Sequence, residues 1–245
     1  ISTGYEYRYI TNRSLFSLVV KLLQAIQDGT RSMKDILFQM FSWKDFVTGV
    51  GASDDGIMGD IDTAGDTIAY ETVAGCVKEV VYYNQGEEPW KSMKFGSSTI
   101  GSAGCGPTAL AIVVSTLTGE TVSPKTMADY AIEQGEYVPG QGTSHSFPAN
   151  AARHWGLTVE RVGKDKMSKV VQSLKQGKLV VVICAPNTIS GSSGHYIVLT
   201  GIDRQGYITI ADPGSRSRTG KVYSVDTIKS YGRDLSDGAF WIIGN

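Results

Sequence analysis

The sequence predicts an α+β domain behind a helical extension. Three observations carry this. Apolar residues recur at helical spacing through the first half of the chain, apolar runs typical of strands crowd into the second half, and the elements do not alternate in the strict strand–helix order of a doubly wound sheet. With 245 residues, 41% of them hydrophobic and 19% charged, the chain is long and apolar enough to bury a substantial core. A formal net charge of -1 offers no general attraction for nucleic acid or an anionic membrane. No run of about 18 apolar residues is present to span a bilayer. The first residue is Ile1, and the chain is read as a processed piece of something longer.

In chain order, residues 1–50 read as a helical hairpin. Leu15, Leu18, Val19, Leu22, Leu23 and Ile26 lie on one helical stripe between Ser14 and Gly29. Met33, Ile36, Leu37, Met40, Phe41, Phe46 and Val47 form a second between Ser32 and Gly49. Residues 51–75 read as a linker rich in glycine and aspartate, whose aspartates lack the spacing of a calcium loop, so no metal or cofactor is expected. Residues 76–245 form the α+β domain. A strand is expected over 77–85 and a helix from Cys105, with Pro107 in its first turn and Gly119 just past its end. Further helices are expected over 123–135, 146–155 and 166–176, each opened or closed by a Ser, Pro or Gly signal. The run LVVVICA (179–185) has the unbroken apolar character of a central strand, and strands are expected at 157–162, 195–203, 206–213 and 240–243.

Within GSAGCGPTAL, Cys105 sits at a helix start, where unpaired N–H groups and the positive end of the helix dipole favour a thiolate. His195 opens a strand directly after Gly194, which leaves room for another group to approach. If residues 203–206 make the turn, partners whose numbers sum to 409 face each other, and His195 and Asp212 become diagonal neighbours on one face. A one-residue slip separates them. A nucleophile, a base and a group that orients the base are the requirements of thiol acyl transfer. Cys105, His195 and Asp212 supply them, with the Cys105 N–H and the Gln85 side chain as candidate oxyanion donors. His145 reads as a loop residue, with a place lining the cleft as the lesser alternative. The loop 187–194 suits a flap. Of Cys76, Cys105 and Cys184, an odd number, one thiol is forced to be free; Cys105 is the choice, with Cys184 buried and inert.

The run of YYNQ, GCGPTALAIVVSTLTG, GQGTSHSFPANAARHWGL, GHYIVLTGID and ITIADP, from about Val80 to Ile243, resembles stand-alone relatives of the bacteriocin-leader-processing cysteine peptidases of the papain-like clan. The resemblance implies a papain-like α+β fold with Cys105 as nucleophile, His195 as base, Asp212 as orienter and Gln85 as oxyanion donor. The spacing from Gln85 to Cys105 is longer than in the leader peptidases, and residues 1–75 lie outside the resemblance. It further implies a bacterial, extracellular or cell-surface peptidase acting on an exported protein or on peptidoglycan cross-link peptides, in wall remodelling or conjugation. The N-terminal helices are expected to be a scaffold for a larger cell-envelope assembly or a remnant of a larger protein, in preference to a prosegment that covers the cleft. A non-catalytic binding module of the same fold and a thiol acyltransferase are the rival readings.

Overall fold

The structure, a computed structural model, describes residues 64–245 apart from Ser192. The helical hairpin expected over 1–50, and the expected linker as far as residue 63, lie outside the described residues. Where the linker reading meets the structure it needs correction. Residues Asp66–Ala69 form a strand, β1, antiparallel to β2 (Glu79–Tyr82). β1 has exposed or half-buried side chains throughout, so it carries no apolar alternation and its sequence resembles a linker.

After β2 the chain makes the short hairpin β3 (Lys94–Phe95) and β4 (Ser98–Thr99), then one helical turn, α1 (Ile100–Ala103). Gly104 separates α1 from α2 (Cys105–Thr118), which ends on Gly119 in the left-handed conformation that glycine favours. Ten consecutive residues of α2, Gly106 to Ser115, are buried, so this helix is apolar on all sides and runs through the core. Helix α3 (Pro124–Glu133) starts under Ser123, whose side chain accepts from the Thr126 N–H. The hairpin β5 (Tyr137–Val138) and β6 (Gly142–Thr143) leads into α4 (Phe147–His154). Then come β7 (Thr158–Val162), a 3-10 turn at Lys164–Lys166 and α5 (Met167–Leu174). β8 (Leu179–Cys184), β9 (His195–Ile202), β10 (Ile208–Ala211), β11 (Val222–Tyr223), α6 (Val225–Tyr231) and β12 (Phe240–Gly244) complete the chain.

One antiparallel six-stranded sheet has the order β11-β10-β9-β8-β12-β7. β8 and β9 are buried along their whole length, as the apolar runs require of strands covered on both faces. Helix α2 packs on β9, β8 and β2, and α5 packs on β9, β8 and β12. Among the described residues no helix is long and apolar enough to cross a membrane.

Candidate active site

Cys105 is the first residue of α2, and its half-buried thiol lies where β9 begins. Its flanking glycines are required by close packing. A Cβ at Gly104 would stand 2.5 Å from the Ile100 carbonyl oxygen, and one at Gly106 would stand 2.4 Å from Thr143 Oγ1. Both glycines let neighbouring turns close around the helix start. Burial pushes the Cys105 thiol up. The hydrogen bond and charge of His195, with the backbone N–H groups of Tyr196 and Gly106, more than offset this, so the thiol lies below its ordinary value.

His195 is 8% exposed and pairs with Cys184 across β8. Its Nε2 lies 2.7 Å from Asp212 Oδ1, which leaves Nδ1 for Cys105. Burial pulls the imidazole down, but Asp212 and Cys105 outweigh it and lift His195 to about 9. Thiol lowered and imidazole raised favour the thiolate–imidazolium form of the pair.

The meeting of His195 and Asp212 depends on an irregularity that the sequence did not reveal. At the hairpin end β10 pairs Ile208 with Ile202 and Thr209 with Gly201, partners one residue away from the expected register. The register then shifts, and Ile210 faces Leu199 and Ala211 faces Val198. Thr200 is the extra residue of a β-bulge. Beyond it the expected pairing holds, and Gly214 lies against the His195 ring, 3.1 Å from Cε1 to the place a Cβ would take. Without the bulge, this hairpin would put Asp212 on the opposite face from His195.

Asp212 is fully buried. Its Oδ1 accepts from His195 and from the Gly214 N–H at 2.8 Å, and Oδ2 accepts from Arg218 Nε at 2.5 Å. Burial pushes this carboxyl up, but His195, Arg218 and the Gly214 N–H hold it below the usual carboxylate range. Its backbone is fastened too: the Tyr82 hydroxyl donates to the Asp212 carbonyl at 2.8 Å, and the Asp212 N–H donates to Thr219 Oγ1 at 2.9 Å. Sequence reasoning missed Arg218, Tyr82 and Thr219, whose contacts are set by the fold of 213–219 and by β2.

Gln85 departs in part from its expected place. Its backbone N–H is tied to the Pro213 carbonyl at 2.8 Å, so the segment after β2 holds the loop after Asp212. Its Nε2 donates to the carbonyls of Gly101 at 3.1 Å and Ile100 at 3.4 Å, in the turn before Cys105, while its buried Oε1 has no partner. The side chain is next to the helix start but braces α1. Cys184 is buried, and burial pushes its thiol strongly up, as expected of an inert cysteine. All three cysteines are free. No cluster of potential metal ligands occurs among the described residues.

A buried carboxylate, Glu136, organises the loop after β6. It accepts from Ser144 Oγ, from Ser146 Oγ at 2.8 Å and from Asn150 Nδ2 at 2.5 Å. This loop carries Thr143 against Gly106, and it carries His145, half-buried and within the fields of Arg233 and Arg161. Burial lowers His145, and the two guanidiniums lower it further.

Comparison with known proteins identifies the family. Residues 77–235, well over half of the chain, match the model of the family described as Peptidase_C39 like family. No curated protein matches. Among solved structures, the peptidase domain of Streptococcus ComA, a bifunctional ABC transporter of a quorum-sensing pathway, is 21% identical. The match covers 58% of this chain and 91% of that one, with a TM-score of 0.43. A C39-like peptidase from Bacillus anthracis is 14% identical over 67% of this chain and 94% of that one, with a TM-score of 0.48. A double-glycine-motif protease of an AMS/PCAT transporter, solved with its leader peptide, is 18% identical over 70% and 95%, with a TM-score of 0.43.

Proposed function

Because this chain belongs to the Peptidase_C39 like family of papain-like cysteine peptidases, we propose that it hydrolyses peptide bonds through a thioester on Cys105. The observation that carries the reading is the continuous chain from Cys105 through His195 to a fully buried Asp212, with the thiol lowered and the imidazole raised. The Cys105 thiolate attacks the substrate carbonyl carbon, and the C=O electron pair moves onto oxygen. The Cys105 N–H, in the unpaired first turn of α2, donates to that oxyanion. Gln85 supplies a second donor if its longer contact, the 3.4 Å one to the Ile100 carbonyl, gives way. A donor of this kind contributes about 3 to 4 kcal/mol in a dry site.

Collapse of the oxyanion expels the amine, which takes the proton from the His195 imidazolium. Neutral His195 then deprotonates a water, the resulting hydroxide attacks the thioester, and the Cys105 thiolate leaves. Asp212 keeps the imidazole oriented through Nε2 and stabilises its charged form, itself held ionised by Arg218. An exported protein or a peptidoglycan cross-link peptide is the proposed substrate; this and the cell-surface setting rest on the motif resemblance.

Iodoacetamide labelling with peptide mapping at pH 6 tests the nucleophile. Cys105 is expected to react well ahead of Cys76 and Cys184, and equal rates would remove the basis of the reading. Incubation of purified cell wall and of secreted protein with the wild type and with Cys105→Ala tests the substrate. New amino termini are expected with the wild type only.

A further inference from the structure

The Arg233 guanidinium lies beside Gly194, the residue before His195, with its charge unpaired among the described residues. Its backbone N–H donates to the Ile183 carbonyl at 3.0 Å, next to a bridge between Gly232 and Cys184, so the segment after α6 is fixed along the end of β8. This places Arg233 Nη1 3.3 Å from where a Cβ would stand on Gly194, the residue before His195. Gly194 is therefore the opening through which a guanidinium reaches the edge of the site. Arg233 is half-buried and its side chain has no ion pair or hydrogen bond among the described residues. The nearby acids are engaged elsewhere: Asp234 with Lys164 at 2.8 Å, Asp237 with Arg161 at 3.5 Å, and Asp212 with His195 and Arg218.

More donors gather on the same side. Tyr196, whose N–H points at the Cys105 thiol, lies 6.0 Å from the Trp241 ring, centroid to centroid. Trp241 in turn carries the Arg161 guanidinium over its face at 4.6 Å. The fields of Arg161 and Arg233 act on both Tyr196 and His145. The Tyr196 and Thr143 hydroxyls are buried there beside each other, and Trp241 Nε1 is buried with no hydrogen-bond partner among the described residues. Donors gather at this corner, and the carboxylates of Asp212, Asp234 and Asp237 are already paired. A half-buried guanidinium without a carboxylate is a ready partner for one, because a bidentate charge-assisted pair is strong and geometrically specific.

We propose that Arg233, flanked by Arg161 and His145, forms a carboxylate-binding subsite beside Cys105 and His195, selecting peptides with a carboxylate within about two residues of the scissile bond. The proposal rests on the peptidase reading above and adds the chemistry of its substrate. The carboxylate comes either from an acidic side chain or from a free C-terminus.

A reagent pair reads the subsite without turnover. Iodoacetate carries a carboxylate and iodoacetamide does not, and both alkylate a thiolate. The ratio of their rates at Cys105 is measured in the wild type, Arg233→Gln and Arg233→Lys, with thermal melts as the folding control. The ratio is expected to fall about fivefold or more in Arg233→Gln and to be largely kept in Arg233→Lys. The His195 imidazolium favours iodoacetate in every variant, so the change between variants reads Arg233. Fast alkylation with a ratio unchanged by Arg233→Gln overturns the subsite and leaves the peptidase reading standing. Alkylation no faster than at Cys76 overturns both.

Quenched peptides differing only by Asp or Asn at each position around the cleaved bond, and by a free or amidated C-terminus, identify the source. One pair is expected to differ by about tenfold in kcat/KM, with the difference lost in Arg233→Gln. Equal rates across all pairs refute the proposal.

Discussion

Replacing Arg218 with alanine tests the innermost support of the site. Arg218 Nε lies 2.5 Å from Asp212 Oδ2, and the Asp212 side chain is fully buried while that of Arg218 is 29% exposed. Two effects compete in setting the magnitude. The attraction lost is partly screened, because the arginine reaches solvent, and is about 1 kcal/mol or less. The carboxylate oxygen left behind is buried, and stripping such a group of its donor costs about 1 to 3 kcal/mol. The second effect dominates, and together they give a loss of about 2 kcal/mol, or about 4 to 8 °C in Tm for a domain of this size. Thermal melts at pH 7 measure it, alongside Arg218→Ala in an Asp212→Asn background. There the buried negative charge is already gone, so the second substitution is expected to cost less than about 1 kcal/mol. An Arg218→Ala melt within 1 °C of wild type, or an equal loss in both backgrounds, would refute the reasoning.

Other predictions follow from the same geometry. His195 must be an imidazolium to protonate the leaving amine, and it is raised to about 9, so kcat/KM is expected to fall as pH rises through about 9. Asp212→Asn removes the main group that raises His195, and should move that limb to lower pH; an unmoved limb would exclude Asp212 as its cause. Gly106→Ala places a methyl 2.4 Å from Thr143 Oγ1 and should destabilise by about 1 to 3 kcal/mol in a denaturant melt. In a Thr143→Ala background, where the Thr143 Cβ is 3.5 Å away, most of that loss should be recovered. Tyr82→Phe deletes the buried donor to the Asp212 carbonyl and should cost about 1 kcal/mol with little change in Cys105 alkylation.

What was legible in the sequence was local. Gly104, Pro107 and Gly119 bracket a helix whose limits match the expected ones, because start and stop signals act within a turn of the residues they affect. LVVVICA announced a strand covered on both faces, and β8 lies inside the sheet with β9 and β12 on its two sides. The α+β class followed from the order of such elements. The contacts that complete the site were not legible, because they join distant segments. Tyr82 meets Asp212 across 130 positions, and Arg233 reaches Gly194 through the segment after α6. Gln85 shows the same limit differently: a glutamine at the end of a strand was visible, but which carbonyls its amide would meet was decided by α1. The packing at Gly104 and Gly106 was not legible either, since only the fold shows that Ile100 and Thr143 press against them.

The bulge at Thr200 has a consequence for chain length as distinct from residue identity. His195 and Asp212 are separated by an odd number of positions, whereas a hairpin closed by Ile202 and Ile208 brings together on one face only residues an even number apart. One unpaired residue restores the parity, and Thr200 is where the chain keeps it. Slack in this hairpin is therefore localised. Losing the residue at 200 would straighten β9 and leave His195 on the Asp212 face, while losing one residue from 196 to 199 with the bulge kept would turn His195 to the other side. A hairpin one residue shorter in its loop would need no bulge at all, so loop length and bulge are two interchangeable ways of meeting a single arithmetic condition on the site.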